Sequence, residues 1–144
     1  MSETTVHVLL VEDDDVDAEV VTRSFNSLRI TNPITIARNG IEAIKMLRGE
    51  DGYQRVPRPY VILLDINMPQ MNGLEFLKVI RQDSELERSV VFVLTTSDND
   101  EDMRDAYTEH VAGYILKQRA GDAMLDVPTM IQRYWRLVEF PPDR

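Results

Sequence analysis

Four short apolar runs in this 144-residue chain each end on residues that can do chemistry. VHVLLV runs into Glu12 and Asp13, with Asp14 and Asp15 behind them. YVILL runs into Asp65, VVFVL into Thr95, Thr96 and Ser97, and GYIL into Lys117. If those ends meet, three carboxylates (Glu12, Asp13, Asp65), a hydroxyl and an ammonium share one site. Carboxylates at close range repel each other and cannot all stay ionised unaided. A divalent cation resolves the conflict, and oxygen donors with open positions suit Mg²⁺, which keeps waters and often takes a phosphoryl oxygen too. Lys117 can pair with Asp65 or with a phosphate, and Thr95 can hydrogen-bond a phosphoryl oxygen. Asp65 then reads as a nucleophile that attacks a phosphoryl group and forms an acyl phosphate. The cation and Lys117 would stabilise charge on the transferring group. Glu12 and Asp13 would hold the metal, and the backbone carbonyl of Asn67 could complete its shell.

Each residue also has a plainer role. Taken alone, Asp65 is better read as a turn residue, since Asp is common there and Met68-Pro69 follows. Asp14 and Asp15 read as first-turn helix charges that suit the dipole, and Asp17 as a solvated one. Thr96 and Ser97 compete with Thr95 for the hydroxyl role, and spacing favours Thr95. Tyr114 reads equally as a half-buried strand aromatic. His7, at a strand start, and His110, at a helix end, have no metal-ligand companion. The chemical reading rests on the set, not on any member.

The elements that must position this set follow from hydrophobic period. Val6 to Val11, Ile34 to Ala37, Tyr60 to Leu64, Val90 to Thr95 and Gly113 to Leu116 read as strands. Between them, Asp14 to Leu28 carries Val16, Val20, Val21, Phe25 and Leu28 on one helical stripe. Asn39 caps a helix with Ile41, Ile44 and Leu47 inward. Leu74, Leu77 and Ile80 face inward from the next, and Asp98 to His110 is a polar helix. A last helix carries Met124, Val127, Met130, Ile131, Tyr134 and Val138. Glu50 to Pro59 is turn-rich and reads as a surface loop. Strands alternating with helices predict an α/β fold, a doubly wound five-stranded parallel sheet. The usual order, 2-1-3-4-5, puts strands one and three together at the switch point, where ligands bind beyond the carboxyl ends.

Bulk composition narrows the function classes. A net charge of −9 disfavours unassisted nucleic-acid binding. No apolar run approaches a membrane span, and Met1 to Thr5 is polar, without a secretory pattern. With no cysteine, disulfides and thiolate metal sites are excluded. A cytoplasmic location, with no nucleic acid and no membrane among the partners, is expected. The chain reads as one domain over 1–144, with its core at about 5–139 and 140–144 as a tail.

VLLVEDD, ILLDINMPQMNGLEFL, VVFVLTTS and GYILK, in this order and spacing, resemble the receiver domain of bacterial two-component response regulators, with its flavodoxin/CheY-like fold. The resemblance covers nearly the whole chain. It implies that Asp65 accepts phosphate from a sensor histidine kinase in the presence of Mg²⁺. It further implies that Glu12 and Asp13 are the acidic pair, Thr95 the switch hydroxyl, Tyr114 the rotating aromatic and Lys117 the phosphate partner. Glu12 stands where Asp is commoner. The RGEDGYQRVPRP loop and the single-domain length look most like small stand-alone regulators paired with bacterial phytochromes and related kinases. No DNA-binding or catalytic output segment is visible, so the signal is expected to leave by protein contact or onward phosphotransfer. A homodimer is expected through the face made by the fourth helix, fifth strand and last helix, with Trp135 and Phe140 as candidate contact aromatics.

Two features depart from the pattern. The family usually has proline after the lysine, often with a cis peptide; here it is Gln118. A non-proline cis bond costs roughly 3 kcal/mol, so a trans bond is expected, which puts the Lys117 loop in question. Pro128 falls inside the last amphipathic pattern, so that helix either begins near Asp126 or kinks. The competing classes are a pseudo-receiver that binds partners without taking phosphate, and a phosphatase using an aspartyl intermediate. The first needs Lys117 held away from Asp65. The second wants a general acid two residues beyond the nucleophile, where Asn67 stands.

Overall fold

The computed structural model describes residues 5–142. Met1 to Thr4 of the expected polar start, and Asp143 and Arg144 of the expected tail, lie outside them. Five strands, β1 (His7–Val11), β2 (Ile34–Ala37), β3 (Tyr60–Leu64), β4 (Val90–Thr95) and β5 (Gly113–Leu116), form one parallel sheet in the order β2-β1-β3-β4-β5. The helices are α1 (Asp15–Ser27), α2 (Gly40–Arg48), α3 (Gly73–Arg81), α4 (Asp100–Thr108) and α5 (Asp126–Leu137). Two 3-10 turns, Lys117–Arg119 and Asp122–Met124, lie between β5 and α5.

The sheet is covered on both faces, which is why β1, β3 and β4 read as near-continuous apolar runs. Alternate residues serve opposite layers. Leu9, Val11, Ile62, Leu64, Val91 and Val93 pack with Leu47, Phe76 and Leu77 under α2 and α3. Val8, Leu10, Val61, Leu63, Phe92 and Leu94 pack with Val21, Phe25 and Ile131 under α1 and α5.

Four helices start on side-chain caps that satisfy their first amide groups. Asp14 accepts from Val16 and Asp17 N–H, Asn39 from Glu42, and Asn99 from Glu101 and Asp102. Asn72 and Glu75 form a reciprocal capping box at α3. The last helix begins at Asp126 without a side-chain cap, so Pro128 sits in the first turn, where its missing N–H removes no intrahelical bond. Arg81, at the end of α3, donates to the carbonyls of Glu87, Ser89, Glu109 and His110 and so ties α3 to the turns before β4 and β5.

Several inward assignments are overturned. Val16 is 68% exposed, and Leu28, Ile41 and Val138 are exposed as well. Val16 and Ile41 lie in first turns, and Leu28 and Val138 just past helix ends. Ala18, Ala43, Met46 and Phe76 fill the inner faces instead. Phe140 stacks edge-on against Tyr134, which stacks edge-on against Phe92. Trp135 is half-buried in the same layer.

Candidate functional site

Register brings the first two carboxylates together. β1 and β3 pair from His7↔Tyr60 to Val11↔Leu64, and Asp65 N–H donates to the Val11 carbonyl at 3.0 Å. Glu12 and Asp65 therefore leave adjacent strands side by side. Both are buried, whereas Asp13 faces solvent. One oxygen from each of the three lies within 4.8 Å of the others. The backbone around Asp65 is close-packed as well. Gly73 opens α3 with its N–H on the Ile66 carbonyl, and a Cβ there would stand 2.4 Å from the Asp65 carbonyl oxygen.

The donor set is all oxygen, partly buried and open on the Asp13 side, which fits a hard divalent cation. The electrostatics agree. Burial pushes the Glu12 carboxyl up to about 7, against the pull of its Lys117 hydrogen bond, and the Asp65 charge adds to the rise. A carboxylate so placed gains from a nearby cation.

Lys117 leaves the end of β5 and is the site's ammonium. Its side chain is only 6% exposed. Nζ donates to Glu12 Oε1 at 2.7 Å, to Asp17 Oδ2 at 2.7 Å and to Asp65 Oδ2 at 3.2 Å, so all three of its donors are used. Burial works against the charged form, but the Asp17 and Glu12 hydrogen bonds and the Asp65 charge outweigh it and hold its pKa above the ordinary lysine value. The Lys117–Gln118 peptide is trans as expected; the cis bond among the described residues is Arg58–Pro59. Gln118 Nε2 reaches the Thr96 carbonyl at 3.4 Å.

Asp17 is a correction. Expected to be solvated, it is the ammonium's partner from the first turn of α1. The available signal was its place three residues after the cap Asp14, in the turn that lies over the strand ends; charge pattern alone did not show that it turned inward.

The hydroxyl side is built by β4. Thr95 is fully buried, and its Oγ1 accepts from Ser97 N–H at 3.3 Å. Thr96 is exposed. Ser97 Oγ donates to Asp102 Oδ2 at 2.6 Å, which turns it toward α4. Tyr114 is half-buried, and its hydroxyl donates to the Ser97 carbonyl at 2.8 Å. Burial raises the Tyr114 pKa, so this donor keeps its proton. Asn67 N–H donates to Asp65 Oδ1 at 3.2 Å, and the Asn67 side chain is exposed. His7 and His110 lie away from this cluster, at the start of β1 and after α4.

Comparison with known proteins matches this arrangement to one family. The model of the response regulator receiver domain matches residues 8–127. The response regulator Rcp1 of Synechocystis sp. is 36% identical over 128 residues, covering 89% of this chain and 87% of that protein. The crystal structure of the Mn²⁺-bound form of Rcp1 superposes with a TM-score of 0.82 at 35% identity, covering 96% of this chain and all (100%) of that one. The phosphorylated cyanobacterial phytochrome response regulator RcpA superposes with a TM-score of 0.85 at 31% identity, covering 97% and 100%. The sheet order agrees with these matches, and the chain belongs to the response regulator receiver domain family.

Proposed function

We propose that this chain is a phosphoacceptor in two-component signalling, with Asp65 taking a phosphoryl group from a sensor histidine kinase in the presence of Mg²⁺. The observation that carries the reading is the Lys117 ammonium, seated 3.2 Å from Asp65 Oδ2 at the edge where Glu12 and Asp13 also gather. It favours a phosphoacceptor over an interaction module that never takes phosphate, which would need that lysine elsewhere. An Asp65 carboxylate oxygen attacks phosphorus while the bond to the donor nitrogen breaks, and the leaving imidazole keeps that electron pair. Glu12, Asp13 and Asp65, with the Asn67 carbonyl, would hold Mg²⁺, which supplies positive charge to the transferring oxygens. Lys117 donates to one of those oxygens and Thr95 Oγ1 to another. Such a protein is a switch rather than an enzyme, with slow self-hydrolysis as its own reset.

The switch would run from Thr95 through Tyr114 to the face made by α4, β5 and α5. A Thr95 drawn toward the phosphoryl group leaves Tyr114 free to give up the Ser97 carbonyl and turn inward. That face is also the proposed homodimer contact. Sedimentation of the protein with and without beryllofluoride tests it, and an unchanged mass at all concentrations would count against it. Pairing with a phytochrome-type kinase is supported by the likeness to RcpA. Label passing from such an autophosphorylated kinase to the wild type but not to Asp65→Asn would support it, and equal transfer from an unrelated kinase would not. Among the described residues no helix is long and apolar enough to cross a membrane, and a cytoplasmic site of action fits a kinase partner.

The deciding experiment is intact mass after incubation with Mg²⁺ and a small-molecule phosphodonor. One added phosphoryl group is expected, lost in Asp65→Asn and lost without Mg²⁺. A folded wild type with no adduct would overturn the reading.

A further inference from the structure

Asp17 is the partner of Lys117 that stands outside the acidic cluster. Its Oδ2 lies 2.7 Å from Nζ, closer than Asp65 at 3.2 Å, yet the oxygens that gather within 4.8 Å belong to Glu12, Asp13 and Asp65 alone among the described residues. It contacts the lysine without joining the cation's donor set.

Helix capping shows how Asp17 becomes available. It is the third residue of α1, the position from which an acidic side chain ordinarily reaches back to the N–H of the cap. Glu75 does this at α3, donating no proton and accepting from Asn72 N–H at 3.1 Å. At α1 the corresponding Asp14 N–H is taken by Glu12 Oε2 at 3.2 Å. Asp17 is relieved of that task and turns to Lys117. Asp15, in the same first turn, instead faces solvent and pairs with Arg38.

The ammonium needs such an anchor. Of its three acceptors, Glu12 and Asp65 are also the carboxylates a divalent cation would claim. Lys117 itself opens a 3-10 turn, and Gln118, without the rigid ring of a proline, follows it.

We propose that Asp17 is a positioning residue for phosphoryl transfer. It anchors the Lys117 ammonium from the α1 side, so that Glu12 and Asp65 can turn to the cation while the lysine stays beside the acceptor oxygen. The inference rests on the phosphoacceptor reading and adds no bond-making step to it. As the Asp65 oxygen bonds to phosphorus, the bond to the donor nitrogen breaks, and the leaving amine keeps its electron pair and takes a proton from solvent. Asp17 only fixes the charge that meets the phosphoryl oxygens. Without it, Nζ falls wholly on Glu12 and Asp65 and competes with the cation.

Two readouts test this on the full chain: calorimetric Mg²⁺ titration, and phosphorylation by phosphoramidate followed by intact mass. Asp17→Asn should weaken Mg²⁺ binding severalfold and slow phosphorylation about tenfold at saturating Mg²⁺, the scale of one lost charge-assisted hydrogen bond. Asp17→Glu should recover most of both, with the unfolding midpoint checked for each variant. Asp15→Asn removes the same charge from the same turn, where it pairs with Arg38, and should stay within about twofold of wild type, as exposed charges do. In a Lys117→Met background, Asp17→Asn should change Mg²⁺ affinity no more than Asp15→Asn does. Wild-type behaviour of Asp17→Asn, an equal effect of Asp15→Asn, or an effect undiminished without Lys117 would each overturn the role of Asp17. A wild type that takes no phosphoryl group would overturn the phosphoacceptor reading and this inference with it.

Discussion

Glu12 sets the pH behaviour of the site because it is the buried member of the acidic pair. Its folded pKa, about 7, lies above its ordinary value of 4.5, with burial as the main cause. A raised carboxyl pKa means that the folded protein prefers the neutral form. The stability from this group is therefore complete below pH 4.5 and is lost as pH rises through about 7. Cation binding has the opposite sign, since it needs the anion. Mg²⁺ affinity is expected to be full near pH 8 and to fall roughly tenfold for each unit below about 7 as Glu12 takes up its proton. Titrations across this range, with Glu12→Gln as the flat and weak control, check the claim; a wild-type affinity that does not change down to about pH 6 would refute it. Ser97 and Asn67 make a second residue-scale case. Ser97 is held on Asp102, and Asn67 N–H donates to an Asp65 oxygen, so the two residues follow the strand ends that carry Thr95 and Asp65. Substituting either side chain should change the lifetime of the aspartyl phosphate, read as the decay of the mass adduct. Unchanged lifetimes would remove both from the account.

The β3–α3 connection shows how an element end holds the proposed acceptor. Gly73 has ordinary backbone angles, so its need for glycine is one of space: a Cβ would meet the Asp65 carbonyl oxygen at 2.4 Å and Ile66 Cα at 2.8 Å. Both neighbours are backbone and cannot swing aside. Gly73→Ala should destabilise the fold by about 1–3 kcal/mol, the usual range for overpacking, and should slow phosphorylation by moving Asp65. Urea unfolding and adduct formation measure the two effects; a fully stable, fully active variant would show that the loop adapts freely. Nothing in the sequence marked Gly73 as needing space, because a close approach between segments is a tertiary fact. The strands were far more legible. Tyr60–Leu64 and Val90–Thr95 stand where the apolar runs place them, since a doubly covered strand must be apolar throughout. Helix faces were legible only in part. A period of 3.6 identifies a stripe but not where the sheet beneath it stops, so Val16 and Ile41 read as core and lie outside it. The site followed the strands, as Glu12, Asp65, Thr95 and Lys117 are strand-end residues fixed by register. Asp17 sits on a helix turn whose direction depends on which acid caps which amide, and Glu12 decided that by taking the amide of Asp14.

At the scale of the whole molecule, a net charge of −9 surrounds a site in which three carboxylates, those of Glu12, Asp17 and Asp65, meet one ammonium, with Asp13 gathered beside Glu12 and Asp65. A fold that keeps such a cluster without a cation gives up stability to hold a binding site. Asp13 is the clearest place to see this. Unlike Glu12, Asp17 and Asp65 it shares no ion pair with Lys117, so its charge adds repulsion that this ammonium does not offset directly. Asp13→Asn is therefore expected to raise the melting temperature of the metal-free protein. The wild type should gain about 2.7 kcal/mol from Mg²⁺ at a hundredfold excess over its dissociation constant, or roughly 10 °C in melting temperature for a domain of this size. Asp13→Asn should lose most of that gain while starting higher. Added monovalent salt should narrow the difference between the metal-free forms, since it screens exposed charges without replacing a ligand. Thermal melts with and without Mg²⁺, at low and moderate salt, separate these terms. A variant less stable than wild type in the absence of Mg²⁺ would mean that Asp13 is held by favourable contacts and that the cluster is not strained for the sake of its cation.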